Sequence, residues 1–282
     1  MSLAVAIPCG VAAAVVYGGS TAVQHSAVNT GRGEVDARGL LRLVTNPRWL
    51  LSVAGDGLGL ILQVIALATG PVVIIQPLLV LAVPVSLPIG RLLGGPRPRP
   101  ADYAACLAII AGLGAFFGIV GDPGPAEVPS TRAAVWLIVV ALGAGVLTSV
   151  AVRRARAVWR AAVFGGIAGA WFGITGVLIN AVSDVWQRDG RHGFAEPQGW
   201  TLLVGVLLIG AAGVILTQIS FQVGALSASF PANESAAPLV AVVLGAALLH
   251  ENVPISVWTV LAYALCFAVI VAGTIRLAHT AE

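Results

Sequence analysis

Two carboxylates and a set of side-chain amides stand inside apolar sequence, and their chemistry is that of a site for a cation or a proton. Asp56 lies seven residues beyond Trp49, where an apolar stretch opens, among Gly55, Gly57 and Gly59. At 1.5 Å per residue this places it roughly 10 Å deep in a helix that crosses a membrane. An acidic residue at mid-membrane costs about 2.5–3.5 kcal/mol on insertion scales, so its presence asks for a function. Gln63 follows seven residues later and shares the helical face of Asp56. The alternative for Asp56 is an interfacial carboxylate paired with an arginine or with water.

The second acid, Glu234, sits in Pro231-Ala-Asn-Glu-Ser-Ala-Ala-Pro238, where a later apolar stretch begins. Proline removes a backbone donor and frees a carbonyl one turn earlier. Freed carbonyls and half-helix ends near mid-membrane bind ions or substrate groups in carriers. The sequence therefore points to freed carbonyls or a half-helix end at the entry to this span, with Asn233 beside the acid; the alternative is a helix cap at the membrane surface. Gln63, Gln76, Gln218 and Gln222 add neutral donors and acceptors, for a site or for interhelical bonds worth about 0.6 kcal/mol each. Tyr17, Trp171 and Asn180 are weaker cavity candidates. Glu251 reads as a rim acid or a solvated residue, and His25 and His250 as structural or proton-linked.

Other chemistries are poorly served. There is no GxSxG, no HExxH and no carboxylate pair with a nearby histidine. All 15 basic residues are arginine, which excludes a Walker-type GxxxxGK[ST] loop and a lysine Schiff base. Cys9, Cys106 and Cys266 lie in apolar stretches without CxxC pairing, so neither a disulfide framework nor a zinc site is indicated. The expectation is a protein that is not an enzyme and uses no cofactor.

The elements that must position these residues are membrane spans. Hydrophobic residues make up 58% of the 282 and charged residues 10%, against roughly 25% charged in soluble domains. The apolar residues fall in blocks of about 20, the length that crosses the hydrocarbon core. Nine spans are predicted: Leu3–Val28, Trp49–Thr69, Val72–Leu93, Ala101–Val120, Ala133–Val152, Ala161–Ser183, Trp200–Val223, Ala228–Leu249 and Ser256–Leu277. The fold class is all-α and polytopic. Short turns join spans 2 and 3 near Gly70-Pro71 and spans 7 and 8 near Gly224–Ser229. Trp49, Trp136, Trp159, Trp186, Trp200 and Trp258 sit near span ends, as interfacial anchors do. No cleavable signal peptide is expected, since no basic residue precedes Arg32 and the first apolar stretch is long.

Arginines set the expected orientation. Arg32, Arg38, Arg42, Arg48, Arg91, Arg97, Arg99, Arg153, Arg154, Arg156, Arg160 and Arg276 fall on one side, and Arg132, Arg188 and Arg191 on the other. The positive-inside rule then places the N-terminus outside and the C-terminus inside a cytoplasmic membrane. The same rule accounts for the net charge of +3 without nucleic acid.

The two halves read as related copies. Gln63-Val-Ile-Ala-Leu67, Pro71 and Pro77-Leu78 match Gln222-Val-Gly-Ala-Leu226, Pro231 and Pro238-Leu239 at offsets of 159, 160 and 161. Tyr103 and Cys106 match Tyr263 and Cys266 at offset 160. Gly10, Ala14, Tyr17 and Gly18 match Gly165, Gly169, Phe172 and Gly173 at offset 155. The organisation expected is a first four-span repeat in residues 1–121, a connector with span 5 in 122–160, and a second repeat in 161–282. A single connector span inverts the second copy, the architecture of alternating-access carriers. The small-residue stripes suit close helix packing and equally a homodimer contact.

These residues carry a family resemblance. The chain resembles the drug/metabolite transporter superfamily of EamA-like proteins, and within it the NIPA-type magnesium transporter branch. The likeness rests on Gly55-Asp56, on Pro77-Leu78 before a small-residue helix, and on Thr217-Gln218-Ile219-Ser220 running through Ala225-Leu226 to Pro238, with Glu251 closing span 8. It departs from that branch in having aspartate at position 56 and about one extra helical turn before the Pro-Leu pair. The resemblance implies a secondary transporter of a small solute or divalent cation, with Asp56 and Glu234 as ligands if the cargo is Mg²⁺. Proton-coupled export of organic metabolites or drugs is the alternative, with coupling through Asp56 or Glu234. A membrane-embedded enzyme or scaffold subunit is the reading from another class. Membrane lipid is the expected surrounding.

Overall fold

A computed structural model describes residues 2–29, 47–94, 97–124, 126–223 and 226–280. Among these, nine helices are long and apolar enough to cross a membrane. In chain order they are α1 (Leu3–Asn29), α2 (Pro47–Thr69), the pair α3 (Val72–Leu78) and α4 (Ala82–Leu92), α5 (Pro100–Val120), α6 (Thr131–Ala151), α7 (Ala157–Asp189), α8 (Pro197–Val223), α9 (Leu226–Leu248) and α10 (Val257–Thr280). The predicted spans agree with these within a few residues, except that α7 runs on to Asp189. Arg32, Arg38, Arg42, Gly224 and Ala225 lie outside the described residues, as do the side chains of His25, Trp49 and Gln222.

The third span is the broken one. A 3-10 turn at Leu79–Leu81 divides α3 from α4. Pro84 has no N–H to give the Val80 carbonyl, so the i→i−4 ladder lapses just there. The half-helix end expected at the entry to the eighth span does not form: α9 is continuous through Pro231 and Pro238.

Small residues decide which helices meet. A Cβ on Gly18 would stand 2.5 Å from the Ala82 carbonyl oxygen of α4, and one on Gly173 would overlap that of Ala237 in α9. Gly165 and Gly169 admit the backbone of Ser229 and Asn233 in the same way. With no hydrophobic force between helices in lipid, such close backbone approach supplies the dispersion that holds them. Helix α7 is the centre, with 61% of its apolar window buried; α9 and α8 lean on it, as α4 and α2 lean on α1. α5 and α10 pair with each other, Gly112 against Ile270 and Gly273 against Ile109. α6 is peripheral, only 6% buried, and rests chiefly on α8. Gly145 of α6 leaves room for the Trp171 ring, whose Nε1–H donates to the Ala141 carbonyl at 3.1 Å.

The chain ends of alternate helices are tied together on one face, here called the N-terminal face. The Ser2 amide donates to Thr69, Glu127 to Leu249 and Asn252 to Pro123, and the Gln187 amide reaches Ala68. On the opposite face Asp102, fully buried, accepts the Arg99 amide at 2.7 Å and faces Arg276 at 3.5 Å, joining the start of α5 to the end of α10.

Candidate functional site

A cavity of about 840 Å³ lies between α1, α2, α3, α4, α7, α8 and α9. It gathers Asp56, Gln63, Gln76, Asn233 and Glu234, five of the seven residues expected from the sequence. The site draws on spans 1 and 6 as well as on spans 2, 3, 7 and 8, since Tyr17, Thr21, Phe172 and Thr175 also line it. The offset match of Tyr17 with Phe172 was the signal for these two helices.

Asp56 and Gln63 do share a face of α2, and both look into the cavity. Gln63 Oε1 accepts the Tyr17 hydroxyl at 2.9 Å. The Tyr17 ring lies against Gly59, where a Cβ would come within 2.8 Å. That glycine lets α1 carry a phenol up to α2, and places the hydroxyl within electrostatic reach of both Asp56 and Glu234. Asn233 is buried and donates through Nδ2 to Thr217 Oγ1 at 3.0 Å, which fixes its amide and leaves Oδ1 as an acceptor.

Two of the lining groups have no hydrogen-bond partner among the described residues. Gln76 is 4% exposed, lines the cavity and is pressed onto Gly176, and its Nε2 has no hydrogen-bond partner among the described residues. Glu234 also lines the cavity, and among the described residues no hydrogen bond or ion pair satisfies its carboxylate. Buried polar groups are nearly always paired, and these two face one cavity without such a partner among the described residues. No arginine, lysine or histidine is among the described lining residues, and Glu234 stands there without a described counter-charge.

Gln218 is corrected. It is exposed on α8 and does not line the cavity. Its neighbour Thr217 faces Asn233, and one residue further turns a helix by about 100°. The Gln222 side chain lies outside the described residues. Among the described residues no group of three or more metal-ligating side chains occurs, so a cation here would meet at most two carboxylates.

On the N-terminal face the corner between α2 and α3 is tied to α7 and to the segment after α9. Asn180 Nδ2 donates to the carbonyls of Leu67, at 2.6 Å, and Gly70, at 3.2 Å. Glu251 accepts the first amides of α3, Val72 at 2.7 Å and Val73 at 2.9 Å. The bonds span 113 and 179 residues. Glu251 is thus a buried cap rather than a rim acid. Burial holds its carboxyl above the ordinary carboxylate range, with the nearby Asp184 charge adding to the rise and the two amides opposing it.

Comparison with known proteins adds a relative but no activity. The chain is 29% identical to an uncharacterized protein of Corynebacterium glutamicum, over 98% of this chain and 95% of that protein. No family model matches, and no solved structure matches.

Proposed function

We propose that this membrane protein is a secondary carrier of a small cationic solute, working by alternating access across the cytoplasmic membrane. The observation that carries the reading is the central cavity holding both intramembrane acids, one of them unsatisfied, with no basic residue among its described lining. Carriers place their sites at mid-membrane, where inverted copies meet. The packing supports such copies: α2 and α4 lie on α1 as α8 and α9 lie on α7, and the Gly18–Ala82 and Gly173–Ala237 approaches fall at the same offset of 155.

In this account Asp56 and Glu234 supply charge, Gln63, Gln76 and Asn233 orient the solute, and a proton bound at either acid exchanges with the cation. The N-terminal face is the outer one, by the arginine distribution, and the α2–α3 corner is the outer gate. The apolar lining and two carboxylates suit an organic cation better than Mg²⁺, which keeps several waters and is bound by oxygen ligands. The resemblance to magnesium transporters keeps Mg²⁺ as the second candidate.

The test is electrical. Purified protein in proteoliposomes on a solid-supported membrane receives concentration jumps of Mg²⁺, tetramethylammonium and primary amines. A saturable current with an organic cation supports the reading. A current with Mg²⁺ alone transfers it to the magnesium branch, and silence with every cation from folded protein removes it.

A further inference from the structure

The cavity wall is incomplete on one side, and the gap faces lipid. Helix α2 packs on α1 and α7, and α8 packs on α7 and α6, yet α2 and α8 form no packed pair with each other. Leu60 of α2, and Leu207 and Val214 of α8, line the cavity and are 50%, 63% and 52% exposed. A side chain both exposed and cavity-lining stands at an opening. Leu60 is near the middle of Pro47–Thr69, and Leu207 near the middle of Pro197–Val223. The edges are therefore apolar at the depth of the hydrocarbon, where an opening admits acyl chains and not water. Between them the back wall is α7, with Thr175 and Ile179.

We propose that the gap between α2 and α8 is a lateral portal through which the apolar tail of the substrate passes, so that the substrate is a single-tailed amphiphile with a cationic head. The inference rests on the carrier reading above and extends it to the substrate class. Charge complementarity selects the head, because the lining offers Glu234, which no described residue pairs, and no described base. The depth and apolarity of the portal select the tail. A tailed solute reaches the acids from the bilayer without leaving hydrocarbon, which spares the desolvation of its tail.

The experiment compares two solutes with one head, tetramethylammonium and octyltrimethylammonium, in the current assay. A Leu207→Trp, Val214→Trp double variant fills the portal with two indoles on α8, the helix that carries neither acid. The proposal expects the octyl current to fall about tenfold while the tetramethylammonium current is kept. Equal currents for both solutes before and after plugging overturn the portal and leave the carrier standing. A second readout needs no transport. With Cys9, Cys106 and Cys266 replaced by alanine, Thr175→Cys carries a bimane label on the back wall. A bromine at the end of the octyl chain then quenches it saturably, and quenching is lost on plugging and in Glu234→Gln. Failure of the bromo-octyl probe to quench overturns the portal, whatever the currents show. Quenching without any current retains the site and removes the carrier reading.

Discussion

Glu251 and Val72 stand 179 residues apart in sequence and 2.7 Å apart in the fold, the carboxylate of one capping the first amide of the helix that the other begins. The opening amides of a helix have no partner inside it, and Val72 and Val73 are wholly buried. Replacing Glu251 by alanine leaves two amides unsatisfied at about 1–3 kcal/mol each. The expected outcome is a markedly lower melting temperature in detergent, followed by tryptophan fluorescence.

The same residue gives a pH signature. Its carboxyl titrates above the ordinary 4.5 in the fold, so the folded state holds a proton over a window where the unfolded chain has lost it. Stability contributed by this group is then full below the ordinary value and declines as pH rises through the raised one. Melting temperatures of wild type and Glu251→Gln, measured from pH 4 upward, should show wild type losing ground to the variant across that window. A constant difference contradicts the buried cap.

Close approach at α7 is sterically fixed. Gly169→Ala and Gly173→Ala each push a methyl into backbone of α9, at about 1–3 kcal/mol for overpacking. Gly57→Ala on α2 meets nothing within 4 Å and should be neutral or stabilising by up to about 1 kcal/mol from helix propensity. Thermal unfolding of the three variants separates the packing glycines from the open one.

The α5–α10 tie is expected to matter less. Asp102→Ala removes the acceptor of the Arg99 amide and the partner of Arg276. Because Arg276 is 42% exposed, water shares its charge, and the cost should be near the about 1–2 kcal/mol of a lost cap. A loss as large as that of Glu251→Ala would show the pair to be better shielded than its exposure indicates.

Much of this was legible in the chain. Apolar blocks of membrane length fix the nine spans, and a seven-residue spacing puts Asp56 and Gln63 on one face. A constant offset matched Tyr17 with Phe172 as equivalent positions of the repeat, and both line the cavity. Legibility ended where a side chain's direction or a distant partner decides. Gln218 and Thr217 are adjacent, and only their helix's rotation against α9 turns the threonine inward. Glu251 lies in a loop, and its partners are amides that any residue type would present. The helix break fell at Leu79–Leu81 rather than near Glu234, because α9 tolerates Pro231 and Pro238 within a continuous helix.

The central claim is that the two cavity acids bind the cargo. The direct measurement is the cation-evoked current of wild type against Asp56→Asn and Glu234→Gln, each first shown to melt as a folded protein. The account predicts that Glu234→Gln abolishes the current and Asp56→Asn abolishes or uncouples it from the proton gradient. Undiminished, proton-coupled currents in both variants would contradict it.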